Sequence, residues 1–94
     1  MEARKLFAKK ERLSDGSIVE MVIWRLPDSD TERPHGLKYR LYYGKEGKRL
    51  IGYDNERGKG DHRHLGDQEF LYTFVSERQL IADFLADVKK IRGE

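Results

Sequence analysis

From Leu37 to Tyr43 the chain alternates without a break: Leu37, Tyr39, Leu41 and Tyr43 take one set of positions, Lys38, Arg40 and Tyr42 the other. A period of two is that of a β-strand with one dry face and one wet face. Such a strand needs sheet neighbours beside it and a single apolar layer over its dry side. The rest of the chain offers one element fit to be that layer. Leu80, Ile81, Phe84, Leu85, Val88 and Ile91 recur at helical spacing near the C-terminus. One helix covers one face of a sheet, so the other face is left to water, a nucleic acid or a protein partner.

The remaining strands follow from turn signals. Ser14-Asp15-Gly16 separates Lys5–Leu13 from Ser17–Leu26, and the run Ile18 to Trp24 is β-branched and apolar. Residues 2–12 are rich in helix formers, but the close turn favours a strand. Both prolines fall in the polar stretch Pro27 to Gly36, which reads as an exposed loop. Gly44 to Lys48 is a tight turn, Arg49 to Asp54 a strand, and Phe70 to Phe74 a short aromatic strand. Ser76 and Gln79 have capping-box spacing, and Val75 and Leu80 occupy the staple positions. Lys89, Lys90 and Arg92 suit the negative end of the helix dipole, and Gly93 can supply a left-handed stop. The expectation is an α+β single domain over residues 1–94. Its strands lie at about 5–13, 17–26, 37–43, 49–54 and 70–74, forming a mostly antiparallel five-stranded meander with a helix at about 77–92.

Composition excludes several classes of function. The chain has no cysteine, so disulfides, thiolate metal sites and cysteine nucleophiles are out. No run approaches the roughly 18 apolar residues of a membrane span, and Met1 to Phe7 lacks the apolar core of a signal peptide. A soluble, cytoplasmic protein is expected. The net charge is only +2, but its distribution is uneven. Positions 33–64 hold nine Lys/Arg against four Asp/Glu, whereas positions 13–32 hold one against five. The positive segment suits a partner that carries phosphate.

That segment contains Tyr53-Asp54-Asn55-Glu56-Arg57-Gly58-Lys59-Gly60-Asp61-His62-Arg63-His64. A connection between two strands needs neither that length nor that chemistry, so this stretch is read as a working loop. Its glycines fit neither a phosphate-binding Walker loop nor the dinucleotide fingerprint. Three readings stay open. In metal-free RNA cleavage, His62 and His64 serve as acid and base, while Arg57, Lys59 and Arg63 bind phosphate. Tyr53 or Glu56 would assist, and Lys38 and Arg40 would extend the RNA-binding surface. In a metal-dependent nuclease, Asp61, His62 and His64 would hold the ion, joined by Asp54 or Glu56. In a binding module, the loop and the open face dock a partner without cleaving it. The first reading needs no cofactor.

The runs Lys38-Tyr39-Arg40-Leu41, Tyr53 to His64, and Phe74-Val75-Ser76 leading into Leu80-x-x-Asp83-Phe84-x-x-Asp87-Val88 together resemble the TumE family. Asp15 to Trp24 looks like the family's first half. The resemblance covers roughly residues 5–90. It implies a small prokaryotic toxin of a toxin–antitoxin pair, with a growth-inhibiting activity and a cognate antitoxin as partner; RNA or the ribosome enters as a target by analogy with small toxins of similar size. By analogy with small ribonuclease toxins, the loop would act as an mRNA interferase.

Overall fold

Six strands and one helix succeed one another among the described residues, which in this computed structural model are 3–28, 33–56, 58 and 60–94. The strands are β1 (Arg4–Arg12), β2 (Ile18–Arg25), β3 (Leu37–Lys45), β4 (Lys48–Asp54), β5 (His62–Leu65) and β6 (Gln68–Leu71). The helix is α1 (Glu77–Ile91). Each strand pairs antiparallel with the next, so the sheet runs in chain order from β1 to β6. This is the expected α+β meander with a C-terminal helix, enlarged by one strand.

The additional strand is β5, which occupies part of the stretch read above as loop. It exists because Gly66 adopts φ +60, the left-handed conformation a two-residue hairpin loop asks of its first central position. Leu65 then pairs with Gln68, and His62 with Leu71 across the hairpin. The aromatic strand expected at 70–74 is accordingly shifted: β6 ends at Leu71. Tyr72 and Phe74 leave the ladder and turn onto the core instead. At the β3–β4 turn, both Glu46 (φ 55) and Gly47 (φ 77) are left-handed, as a type I′ hairpin demands.

Directly opposed residues of antiparallel strands share a face, so the register sorts the sheet into two surfaces. Val19, Met21, Ile23, Leu37, Tyr39, Leu41, Tyr43, Ile51 and Tyr53 line one of them and form the core with Leu80, Phe84 and Val88 of the helix. The other surface, opposite the helix, carries Glu20, Val22 and Trp24 of β2 and Lys38, Arg40 and Tyr42 of β3. Leu80 and Phe84 are fully enclosed, and burial of each contributes roughly 1.5–3 kcal/mol. The apolar stripe is narrower than its sequence: Leu85 and Ile91 are 43% and 51% exposed.

The caps of α1 were half anticipated. Ser76 Oγ accepts the Gln79 amide at 3.0 Å. The Gln79 side chain does not reach back to accept the Ser76 amide; its Nε2 donates to Asp83 Oδ1 at 2.7 Å, a charge-assisted bond that turns the side chain forward along the helix. Val75 is 70% exposed, so the staple with Leu80 does not close. At the other end Gly93 is left-handed (φ +77), and its amide donates to Lys90 while that of Glu94 donates to Lys89. This is a Schellman stop. Arg92 then ties the helix end to the β1–β2 turn, its Nη1 reaching Asp15 at 3.0 Å and Ser17 Oγ at 3.1 Å.

Candidate functional site

Strand β5 divides the sequence-predicted site between the two faces of the sheet. His62 lies opposite Asp54 and His64 opposite Gly52, while Arg63 lies opposite the buried Tyr53. Both histidines therefore share the open face with Lys38, Arg40 and Tyr42, and Arg63 points to the helix side. His62 Nδ1 is 3.1 Å from the Gly60 carbonyl, an acceptor. That carbonyl assigns the ring proton to Nδ1 and leaves Nε2 as the basic nitrogen. His64 Nε2 lies 3.4 Å from Glu69 and 3.6 Å from Asp54, with its side chain 14% exposed.

Around the histidines the open face is cationic and aromatic. Lys38 Nζ sits 5.6 Å over the Trp24 ring, and the Arg40 guanidinium 5.4 Å over the Tyr42 ring. Arg40 also reaches Glu20 at 3.1 Å. Two glycines keep this surface flat. A Cβ on Gly44 would lie 2.2 Å from the Tyr42 hydroxyl, and one on Gly52 would lie 2.9 Å from Arg49 Cδ. Tyr42 and Arg49 therefore lie down over bare backbone. The register places Tyr42, Gly52 and His64 in one row across β3, β4 and β5, and Arg40, Asp54 and His62 in the next.

The helix face holds a different chemistry. Tyr53 is enclosed, edge-on to Tyr72 and Phe84, and its hydroxyl donates to Asp87. Arg63 grips the same carboxylate with Nε and Nη2, both at 2.9 Å. Beside them Tyr72 donates to Asp83 at 2.6 Å, and the group borders a cavity of about 300 Å³. Burial, and then hydrogen bonding to aspartate, pushes the Tyr53 and Tyr72 phenols well above their ordinary pKa of 10.0. The same two causes raise Tyr39, whose hydroxyl donates to Asp61 at 2.6 Å. The Asp87 hydrogen bond raises the Arg63 guanidinium. These groups keep their protons throughout the neutral range.

Asp61, a candidate metal ligand beside His62 and His64, is engaged elsewhere. It also receives His35 Nε2–H at 3.1 Å, and the tautomer is assigned because His35 Nδ1 accepts the Leu37 amide. His35 in turn stacks on Phe74 at 3.9 Å between centroids. Glu56 is exposed, and Arg57 and Lys59 lie outside the described residues. Among the described residues, no group of three or more His, Asp or Glu is placed to hold a metal ion.

Asn55 is a residue the sequence reading passed over. It is completely buried, its Oδ1 accepting the Tyr39 amide at 3.0 Å and its Nδ2 donating to the Leu37 carbonyl at 2.8 Å. A side chain here replaces the backbone rung that β4 no longer supplies. With Asp61 bound to Tyr39 and His35, this fastens both ends of the 55–61 connection to β3. The only available signal was that the chain has a single asparagine, set in an otherwise charged run.

No helix among the described residues is long and apolar enough to cross a membrane. No curated protein and no solved structure matches the chain significantly. A family model described as Toxin TumE matches residues 3–92, nearly the whole length, and points to a toxin of a toxin–antitoxin system. The chain belongs to the TumE toxin family.

Proposed function

We propose that this toxin acts on RNA laid across the open face of the sheet, with His62 and His64 cleaving it without a metal. The observation that carries the reading is that both imidazoles share one surface with Lys38 and Arg40. Alternate residues of a strand stand about 6–7 Å apart, which leaves room for a phosphodiester between the two rings. His62, with Nε2 basic, takes the proton of a ribose 2′-hydroxyl. The 2′-oxygen attacks phosphorus, the bond to the 5′-oxygen breaks, and His64 protonates that leaving oxygen. The products are a 2′,3′-cyclic phosphate and a 5′-hydroxyl. Lys38 and Arg40, both on β3, meet the flanking phosphates, and phosphate contacts of Arg57 and Lys59, which lie outside the described residues, are proposed from the sequence alone. Arg63 and Tyr53, both committed to Asp87, hold the helix to β4 and β5 rather than touching RNA. An antitoxin partner follows from the family in general, and on this reading it would silence the toxin by covering the open face.

The enclosure of His64 between Asp54 and Glu69 favours a second reading, in which the same surface binds RNA and does not cut it. Purified protein incubated with unstructured RNA separates the two. Cyclic-phosphate ends that form equally in EDTA, and that fall about 10²–10⁴-fold in His62→Ala, support cleavage. Saturable, salt-sensitive binding without product supports the second reading. Cleavage that EDTA abolishes contradicts the metal-free chemistry.

A further inference from the structure

We infer that the open face selects single-stranded RNA, stacking unpaired bases on Trp24 and Tyr42 so that the phosphate between them and His64 passes over Arg49 where it lies on Gly52. The inference rests on the RNA reading above and adds the form of the substrate and its path. A cation lies over each ring: Lys38 over Trp24, Arg40 over Tyr42. Both cations end long, unbranched side chains, and that of Arg40 is 57% exposed. A base can therefore take the ring face while the displaced cation moves to the adjoining phosphate. The faces of paired bases are already stacked within a helix, so only an unpaired strand can use the rings.

The spacing defines the path. Trp24 lies opposite Lys38, four residues from Tyr42 along the strand direction, so the Cα atoms of Trp24 and Tyr42 stand roughly 14 Å apart. Tyr42 and His64 are separated by one strand, about 10 Å, and the residue between them is Gly52. The missing side chain makes room for Arg49, which covers the buried Gly52, its Nε and Nη1 lying 3.4 and 3.6 Å from where a Cβ on Gly52 would be. A base on Tyr42 thus sends its phosphate across Arg49 and towards His64. The acidic groups on this face, Glu20, Asp54 and Glu69, are each within ion-pair distance of Arg40 or His64.

Trp24 is the chain's only tryptophan, so its fluorescence reports the site directly. The probe is a 2′-O-methyl oligoribonucleotide, which lacks the nucleophile and stays intact, offered alone or annealed to its complement. Binding is followed in parallel by anisotropy of a labelled strand. The expected result is quenching of Trp24 by the single strand, at least tenfold weaker binding of the duplex, and about tenfold weaker single-strand binding in Trp24→Leu and Tyr42→Leu. Trp24→Phe, which keeps a ring, should retain affinity and control for folding. Equal binding of single strand and duplex without quenching would overturn the inference and leave RNA binding standing. Absence of binding to either at low salt would overturn both.

Discussion

Asn55 and His62 sit seven residues apart, the first completely buried and the second half-buried. Asn55 satisfies two main-chain groups of β3 in a site with no access to water. Asn55→Ala should leave both unpaired and cost about 3 kcal/mol, read as a lower urea midpoint at unchanged slope. Among the described residues, the His62 ring hydrogen-bonds the Gly60 carbonyl. His62→Ala should therefore change the melting temperature by no more than a degree or two while removing activity. His64, held by Asp54 and Glu69, should show a larger stability loss than His62; equal losses would argue against that engagement.

At the scale of elements, the strands that alternate or carry β-branched runs were legible in the sequence, as were the helix and both of its cap residues. The β5–β6 hairpin was not. His-Arg-His-Leu has no apolar alternation to betray a strand because, of its two helix-facing residues, Arg63 and Leu65, the first carries a charge, met by Asp87 on an element 24 residues away. The Leu65-Gly66-Asp67-Gln68 turn was the one local signal. The same pairing explains why adjacent residues of one block part company, His62 and His64 to one face and Arg63 to the other. Arg63→Ala should loosen α1 from β5, costing about 1–2 kcal/mol after allowance for the third of the side chain that water reaches. It should leave RNA affinity unchanged. A double-mutant cycle with Asp87→Ala checks the first statement, and filter binding the second.

For the whole molecule, three tyrosine–aspartate hydrogen bonds join the helix face: Tyr39 to Asp61, Tyr53 to Asp87 and Tyr72 to Asp83. The folded phenols titrate above their ordinary value of 10.0, so their contribution is complete below that pH and is lost as pH rises past it. Stability should fall steadily from about pH 10 upward, with tyrosinate absorbance of these residues appearing only together with unfolding. Asp15 has the opposite sign. The Ser17 hydroxyl and amide pull its carboxyl from 3.8 to about 2, so its contribution is present above about pH 4 and disappears as pH falls through about 2. Thermal melts across pH 2 to 11 follow both limbs.

The toxin reading places activity on the face that the helix leaves bare, and the histidines of β5 are its centre. The most direct measurement is induced expression in a bacterial host of the wild type and of His62→Ala/His64→Ala, following growth and total RNA with the level of folded protein matched. Growth arrest and fragmented RNA with the wild type, and unimpaired growth with intact RNA for the double variant, are predicted. Arrest and fragmentation undiminished in the double variant would contradict the account.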